Sequence, residues 1–383
     1  MRSNDLIKKI IMVGIFICAP FLCSSCSSQW SISVQEDQEE FILNKRSFDE
    51  YQYLKNKASE CEGLPLEIAF YQNGIYVIDN IVINDPEENQ HTFLWEDIAE
   101  IACITKKGMI IIEEEEYHPE KVVVNVDQSN SLEYSLIDIY PTVASALEIE
   151  IDEELFNIPL VNHKSDHVVL FFLDGLSGYQ FQSAVEEGFI TALQKTEFYS
   201  LALTIYPPRT TIASAAIITG RGPSENGVNK YGIRQATLET ICDVVADLGI
   251  TAVAVEGESL SFNLGDCETV LSGDRNSDGS TDDNVFRNVV SVIENKMPNF
   301  FYIHFHGIDD VGHTYGPDSQ IVIEKIIEIN GYLEQIIECL PKNTMVITFA
   351  DHGMHPIDGK QDKGNHGNLI AQDMVVFIHI LIK

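Results

Sequence analysis

Apolar runs and helical stretches alternate through the second half of the chain. The run HVVLFFLD, which starts at residue 167, is almost wholly apolar and stops at Asp174, as a strand buried on both faces would. The runs TAVAVEG, NFFYIHFHG and TMVITFAD have the same character. They follow stretches with helical periodicity near residues 236–249, 284–296 and 319–340. These repeated units predict an α/β fold, with a mostly parallel sheet sandwiched by helices.

The first half of the chain has a different pattern. Residues 29 to about 60 are polar and acidic, and we predict a tether that leads into a short helix. The runs LEIAFYQNGIYVIDNIVI, TKKGMIIIEEEEY and EKVVVNV then predict a smaller β-rich region up to about residue 126. We therefore divide the chain after its first 28 residues into an acidic tether with a β-rich N-terminal domain, 29–120, and a larger α/β domain, 121–383.

The first 28 residues have the pattern of an export signal. Two lysines precede the apolar run IIMVGIFICAPFLC, which is short for a bilayer span and typical of a signal peptide. The stretch LCSSC resembles a bacterial lipobox, although Cys23 stands three residues before Cys26 where Leu is usual. We expect an exported protein, anchored to the extracytoplasmic face of the cell membrane by a lipid on Cys26. An ordinary cleaved signal with secretion, or an uncleaved membrane stub, remains the alternative.

The formal net charge of −35 limits the partners that this protein can bind. Such a surface repels nucleic acid and anionic membranes, so we expect no nucleic-acid partner and membrane contact only through the lipid anchor. It also repels phosphate esters unless the active site concentrates positive charge, which bound metal cations would supply.

The cysteines beyond the signal region form an odd, scattered set of five without a CxxC pair. This pattern argues against zinc knuckles and thioredoxin-like chemistry. Cys242 and Cys267 could form a disulfide after export, but their spacing alone does not establish it.

Three strands of the predicted sheet end in segments that contain aspartate: LDG, HGIDD and ADHG. The carboxyl ends of parallel strands share one edge, so these side chains should meet there together with nearby histidines. Carboxylates crowded without cations would raise each other's pKa. Mixed Asp and His ligands suit zinc, and six of them suit two ions about 4 Å apart. The candidate ligands are Asp174, Asp309, His313, Asp351, His352 and His366.

The segment TIYPPRTTIASAAIITGRGP offers a nucleophile. Thr210 lies where the pattern changes from strand to helix, so its hydroxyl could face the edge of the sheet, with Thr211 as the competing choice. A threonine hydroxyl is a poor nucleophile at neutral pH and needs a cation to ionise it. Arg209 could meet a substrate phosphate, or equally well form a surface salt bridge. For His304 and His306 we favour structural or supporting roles, and we expect His355 to lie on a loop surface.

Five motifs in this order resemble the alkaline phosphatase superfamily, in particular its type I phosphodiesterase/nucleotide pyrophosphatase branch. They are FFLDGL, YPPRTT with TGRGP, DDVGHTYGP, ADHGM and GNHG, between residues 171 and 367. The resemblance implies that Asp174, Thr210, Asp351 and His352 gather at one metal, and that Asp309, His313 and His366 hold the other. Asp309, rather than Asp310, fits by its Asp-x-x-x-His spacing. The resemblance also implies a phosphothreonyl intermediate.

Two features depart from that family. Ala213 stands where nucleotide pyrophosphatases have an Asn that holds the phosphoryl oxygen, and the close spacing of ADHGM and GNHG resembles phosphoethanolamine transferases of glycolipid-anchor assembly. In addition, residues 134–151 resemble the segment that normally closes the superfamily's domain, yet they precede Asp174. We therefore raise the hypothesis that residues 121–165 are a circularly permuted C-terminal part; chance similarity is the alternative.

The sequence thus predicts an exported, metal-dependent phosphodiesterase or phosphatase acting on small phosphate esters. Within enzymes, a phosphoethanolamine-type transferase and a sulfatase-like hydrolase are the alternatives, although the Cys or Ser of a sulfatase is missing at the nucleophile. A non-catalytic, lipid-anchored binding protein that kept the fold is the alternative from another class.

Overall fold

The structure, a computed structural model, describes most of the chain. The described residues are 30–36, 39–51, 63–73, 75–76, 78–99, 101–126, 132–152, 156–230, 232–277, 279–358 and 362–383. The predicted signal over residues 1–28, with its lipid anchor at Cys26, lies outside them.

The N-terminal part of the chain forms two small sheets. Its elements are β1 (Ser31–Glu36), β2 (Glu39–Asn44), α1 (Lys45–Tyr51), β3 (Leu64–Pro65), α2 (Leu66–Tyr71), β4 (Asn80–Asn84), β5 (Gln90–Leu94), α3 (Trp95–Ile98), β6 (Cys103–Ile104), β7 (Ile110–Ile112), β8 (Glu115–Tyr117) and β9 (Lys121–Asn125). Over the described residues, one sheet has the order β2-β1-β9-β4-β5 and the other β3-β6-β7-β8. Buried positions alternate along β4 and β9, because one face of their sheet packs on a core.

The structure corrects the prediction of a tether after residue 29. β1 and β2 form an antiparallel hairpin, and α1 follows it directly. Ile32, Val34 and Leu43 are buried and hold the hairpin on the N-terminal core. β9 also belongs to this sheet, although the sequence pattern assigned residues from 121 onwards to the larger domain.

The larger half alternates strands and helices. After a 3₁₀ turn, Leu136–Asp138, its elements are α4 (Ile139–Ala146), β10 (His167–Leu173), α5 (Gly178–Glu186), β11 (Phe198–Leu203), α6 (Thr210–Thr219), α7 (Pro223–Asn226), α8 (Ile241–Asp247), β12 (Ala252–Glu256), β13 (Glu268–Leu271), α9 (Asp282–Lys296), β14 (Phe300–Phe305), α10 (Gly307–Tyr315), α11 (Gln320–Cys339), β15 (Thr344–Phe349), β16 (His355–Pro356), β17 (Gly364–Asn365), α12 (Ala371–Met374) and β18 (Val375–Ile382). The three predicted helix–strand units all form.

The main sheet has the order β11-β18-β15-β10-β14-β12-β13 within the described part of the chain. β18 runs antiparallel to both of its neighbours, and the other pairings are parallel. All residues of β14 and β15 are buried, which explains why these strands are continuously apolar in sequence. The predicted α/β class, with a smaller β-rich N-terminal region, is therefore confirmed.

Residues 134–146 pack beside the main sheet. The Leu203 amide donates to the Tyr134 carbonyl at 2.9 Å, and Ser135 forms a parallel bridge with Leu203. The Tyr134 ring also meets Phe198 edge to face. This segment thus extends the edge at β11, the neighbour of β18, as the permutation hypothesis requires, while the permutation itself stays a prediction.

Cys242 and Cys267 form a disulfide with their Cα atoms 5.4 Å apart, so the pairing left open by the spacing does occur. It joins α8 to the loop before β13.

None of the helices in the described ranges has the length and apolar character needed to cross a membrane.

Candidate metal centre and nucleophile

Three parallel strands bring the predicted acidic residues to one edge of the sheet. β14 and β15 flank β10, with Leu173 opposite Phe305 and Phe172 opposite Phe349. Asp174 follows β10, Asp309 lies in the first turn of α10, and Asp351 lies just beyond β15. The turn after Asp174 passes very close to α10, because a Cβ at Gly175 (φ +75°) would lie 2.9 Å from the Asp309 Cα. Glycine at this position lets the two carboxylates approach each other.

One group of predicted ligands consists of Asp309, His313 and His366. Their ligand atoms all lie within 4.8 Å of one another, with His313 Nε2 3.4 Å and His366 Nε2 3.8 Å from the Asp309 carboxylate. The other ring nitrogens face backbone carbonyls: His313 Nδ1 lies 2.9 Å from Gly364 O and His366 Nδ1 2.9 Å from Pro208 O. Such outer contacts fix the ring orientation of metal-ligating histidines.

The second group forms around His352. Its Nε2 lies 3.2 Å from Asp351 Oδ2 and 3.5 Å from Asp174 Oδ1, while its Nδ1 lies 3.0 Å from the Gly353 carbonyl. Ligand atoms of Asp174, Asp309 and His352 also lie within 4.8 Å of one another, so the two groups adjoin.

Thr210 brings its hydroxyl into this cluster. It is the first residue of α6, and its Oγ1 lies 3.3 Å from His352 Nε2, the same nitrogen that Asp351 approaches. Thr211, the competing candidate, is buried, and its Oγ1 has no hydrogen-bond partner within the described ranges. The geometry therefore favours Thr210 as the hydroxyl that can reach a bound substrate.

The electrostatics of the cluster fit bound cations. Asp174 Oδ1, Asp309 Oδ1 and Asp351 Oδ2 are buried without a hydrogen-bond partner among the described residues. Burial and the charge of Asp174 raise the pKa of both Asp309 and Asp351 well above the usual range. Burial lowers the pKa of His352 to about 4, so its imidazole is neutral and can donate a lone pair. Unpaired carboxylate oxygens and neutral imidazoles are the donor set that zinc prefers.

Sequence reasoning missed Glu256, the last residue of β12. Its carboxylate is fully buried, with Oε2 3.0 Å from His304 Nδ1 and 3.0 Å from His306 Nε2. The same two rings reach Asp174 Oδ2 through His304 Nε2 at 3.0 Å and His306 Nδ1 at 3.4 Å. The sequence did contain an indication of Glu256, because this residue stands at the end of an apolar run, as Asp174 does.

Hydrogen bonds in this network govern its charges. Burial opposes ionisation, but hydrogen bonds from His304 and His306 hold the pKa of Asp174 well below its usual range. Burial also disfavours the charged form of His306 and so lowers its pKa. Hydrogen bonds to Asp174 and Glu256 outweigh burial and raise the pKa of His306 well above its usual value. His304 and His306 thus contact a predicted ligand from outside the cluster, in line with the supporting roles expected of them.

The prediction that His355 lies on a loop surface was wrong. This residue is buried, with its Nδ1 2.8 Å from Asp373 Oδ1. Asp373 Oδ2 also accepts hydrogen bonds at 2.9 Å from the amides of Gly367 and Asn368, just beyond His366. The pair therefore shapes the loop that carries a predicted ligand.

The N-terminal region also contacts the loops of the site. Trp95 Nε1 donates to the Leu369 carbonyl at 2.7 Å, and the Leu369 amide donates to Glu67 Oε2 at 2.9 Å. Tyr206, four residues before Thr210, packs in the N-terminal core, with its ring centroid 4.8 Å from that of Tyr71. Both the loop before Thr210 and the loop after His366 therefore rest on the N-terminal region.

Comparison with known proteins finds a family model that matches part of the chain. Residues 255–379 match the sequence model of the family described as type I phosphodiesterase / nucleotide pyrophosphatase. The matched range contains Asp309, His313, Asp351, His352 and His366. The resemblance inferred from the motifs is therefore confirmed over this range.

The curated relatives match over shorter stretches. GPI ethanolamine phosphate transferase 3 of Eremothecium gossypii is 39% identical over 64 residues, which are 17% of this chain and 6% of the relative. GPI ethanolamine phosphate transferase 2 of Debaryomyces hansenii is 33% identical over 87 residues, which are 22% of this chain and 9% of the relative. The matches thus span less than a tenth of the length of either relative.

Solved structures with a similar arrangement include murine ectonucleotide pyrophosphatase / phosphodiesterase 5. It is 15% identical with a TM-score of 0.43, over 56% of this chain and 87% of that one. Phosphonoacetate hydrolase from Sinorhizobium meliloti, solved with phosphonoacetate, is 17% identical with a TM-score of 0.39, over 51% of this chain and 58% of that one.

Proposed function

We propose, from the match of residues 255–379 to the type I phosphodiesterase / nucleotide pyrophosphatase family, that this chain is a metal-dependent phosphoric ester hydrolase with Thr210 as nucleophile. The observation that carries the proposal is the 3.3 Å distance between Thr210 Oγ1 and His352 Nε2. It places a hydroxyl beside buried carboxylate oxygens that lack hydrogen-bond partners among the described residues.

The residues that would hold two divalent ions, most suitably zinc, fall into the two groups described above. One ion would be held by Asp174, Asp351 and His352 with Thr210, the other by Asp309, His313 and His366. When bound, the ions supply the positive charge that favours ionisation of the threonine hydroxyl and stabilises the departing oxygen.

Thr210 supplies the covalent step. Its hydroxyl gives up its proton, Oγ1 attacks phosphorus, and the bond from phosphorus to the leaving oxygen breaks. The products are a phosphothreonine and a released alcohol, whose oxygen takes up a proton. Water then attacks the same phosphorus from the vacated side, its oxygen stays on phosphate and the threonine hydroxyl is restored. Thr210 opens the ten-residue helix α6, whose N-terminal amides favour the charge that develops on the phosphoryl group.

Replacement of the hydroxyl tests this assignment. Thr210→Ala should lower kcat for p-nitrophenyl phosphate esters by roughly 10⁴-fold or more, because the nucleophile is removed. Zinc content should stay near that of the unaltered protein, since the Asp and His ligands remain. The matched control is Thr211→Ala, which removes the neighbouring buried hydroxyl. Unaltered turnover by the Thr210 variant would reject the nucleophile.

A transferase is the second candidate, and the short matches to GPI ethanolamine phosphate transferases favour it. The two functions differ in what attacks the phosphothreonine, water or a second alcohol. Turnover of a phosphodiester in the presence of glycerol or a glycan acceptor distinguishes them. Hydrolysis predicts inorganic phosphate or the released monoester as product, whereas transfer predicts a new ester of the acceptor.

We further propose an exported protein that meets small phosphate esters outside the cytoplasm and is held at the membrane by a lipid on Cys26. The lipobox-like stretch supports this proposal. Cys26→Ser should move the protein from the membrane fraction of a bacterial host to its soluble fraction. Cleavage of the signal with no lipid on either form would contradict the anchor.

A further inference from the structure

Arg209 has a defined position in the site that the proposed mechanism does not use. It immediately precedes Thr210 at the start of α6, and its guanidinium lies against the backbone of Gly367. A Cβ at Gly367 (φ +126°) would lie 2.8 Å from Arg209 Nη2 and 3.1 Å from Cζ. Because Gly367 directly follows His366, the guanidinium lies between the nucleophile and the loop of a predicted ligand.

No acidic side chain of the described residues forms an ion pair with the Arg209 guanidinium. Arg209 Nε is buried and has no hydrogen-bond acceptor in the part of the chain that the structure describes. The surface salt bridge that the sequence allowed is not formed within those residues, although the chain carries 59 acidic side chains. The carboxylate of Asp373, which holds this loop, is bonded to His355 and to the amides of Gly367 and Asn368. A buried cationic donor without a partner is costly unless a ligand supplies the acceptor.

Arg209 adds a positive charge at the start of the helix that carries Thr210. The N-terminal end of α6 favours anions at the same place. In a protein whose net charge is −35, this combination gives a local positive region beside the nucleophile.

We propose that Arg209 binds unesterified oxygens of the phosphoryl group under attack and so makes a phosphomonoester, rather than a phosphodiester, the preferred substrate. The inference rests on the proposed function and specifies its substrate class. A guanidinium binds two coplanar oxygens in a fork. A monoester presents three unesterified oxygens, whereas one of those positions in a diester carries a second alcohol. A monoester carries up to two negative charges on these oxygens and a diester only one, so the cationic fork stabilises the monoester more strongly.

The test compares the two ester classes on the zinc-loaded full chain. With p-nitrophenyl phosphate, Arg209→Gln should lower kcat/KM by about 10- to 100-fold, the effect of losing hydrogen bonds to a charged group. With methyl p-nitrophenyl phosphate, the loss should be about threefold or less. Arg209→Lys should recover part of the monoester rate, because it restores the charge without the fork.

Arg221→Gln is the matched control. Arg221 lies just beyond the other end of α6, where it packs over the Phe156 ring and pairs with Glu225. Its replacement should leave the ratio of monoester to diester rates unchanged. Equal losses on the two esters in Arg209→Gln, or no loss on either, would overturn the proposal.

Phosphate binding separates this inference from the proposed function. Inorganic phosphate, titrated into the zinc-loaded protein by calorimetry, should bind Arg209→Gln about tenfold or more weakly than the unaltered protein. If neither ester is hydrolysed by the unaltered protein, the proposed function fails, and this titration still decides the role of Arg209. Equal affinities, or no phosphate binding to the unaltered protein, would refute it.

Discussion

Glu256 illustrates how a residue outside the cluster can control one inside it. Its carboxylate and that of Asp174 enclose the rings of His304 and His306, whose centroids are 3.7 Å apart. With His306 protonated, the arrangement balances a buried positive charge between two buried negative ones. Asp174 thereby stays ionised and keeps its Oδ1 free of hydrogen bonds from the described residues.

Removal of the Glu256 charge should cost stability in a pH-dependent way. Burial opposes it, but the charges and hydrogen bonds of His304 and His306 lower the pKa of Glu256 to about 2. A carboxylate with a depressed folded-state pKa stabilises the fold above its unfolded value of about 4.5 and loses that contribution as the pH falls toward 2. Glu256→Gln should therefore lower the free energy of unfolding by about 3 kcal/mol at pH 7.

Urea denaturation of the chelator-treated protein at several pH values checks this. The difference between the unaltered protein and Glu256→Gln should narrow as the pH drops below about 4.5. Glu268→Gln, on an exposed position of the neighbouring strand β13, should change little. A difference that is constant from pH 7 to pH 3 would show that the Glu256 charge does not carry the effect.

At the residue scale, the sequence predicted the cluster better than its surroundings. Asp174, Asp309 and Asp351 could be found because each follows an apolar run that ends at the same edge of a parallel sheet. Glu256 was overlooked because a carboxylate at the end of a strand is usually solvated, and only the pairing of β12 with β14 brings His304 to it.

Among the secondary-structure elements, the hydrophobic pattern predicted strands best where nearly every residue of the strand is buried. The apolar runs at β10, β14 and β15 predicted these three strands directly. The hairpin of β1 and β2 was missed because the buried side chains of β1 alternate with polar ones over only six residues, and because β2 buries Leu43 but exposes Ile42. Short amphipathic strands resemble polar linkers until a second strand pairs with them.

The short loop between β17 and α12 contains a glycine on which the site depends. Gly367 has a left-handed backbone conformation and touches the Arg209 guanidinium. Gly367→Ala should therefore displace Arg209 or the His366 loop and lower kcat/KM about tenfold or more, with a loss of stability of about 1–3 kcal/mol. Steady-state kinetics and thermal unfolding measure the two effects.

Gly222→Ala is the control for that change. Gly222 has an ordinary φ of −71°, and no atom of the described residues lies within 4 Å of a Cβ placed there. The control should keep both activity and stability. Full activity in Gly367→Ala would contradict the close approach of Arg209 to this loop.

At the scale of the whole molecule, the N-terminal region acts as a support for the site. Its core includes Tyr206, Leu369, Ile370 and Met374 from the larger half of the chain. The hydrogen bond between Glu67 and the Leu369 amide joins residues 302 positions apart. No local pattern in a sequence indicates such a pairing, so the role of this region emerged only from the structure.

The variant Trp95→Phe tests whether the N-terminal region supports the loops of the site. It removes the hydrogen bond to the Leu369 carbonyl and leaves that buried acceptor unpaired, at a cost of about 1–3 kcal/mol. We expect lower stability together with a lower kcat, since the loop that follows His366 loses its anchor. Trp30→Phe makes the same change at Trp30, whose Nε1 donates to the Lys106 carbonyl at 2.9 Å away from the site loops. Equal effects of the two variants on kcat would contradict a specific support.

The proposed activity depends on paired divalent ions among the buried Asp and His side chains. The most direct test is the number of zinc ions bound per full chain after removal of metal and reconstitution, measured by elemental analysis. We predict two ions in the unaltered protein and at least one fewer in Asp351→Asn, whose Oδ2 is a buried oxygen without a partner in the described residues. A zinc content that is negligible, or the same in both proteins, would contradict the account.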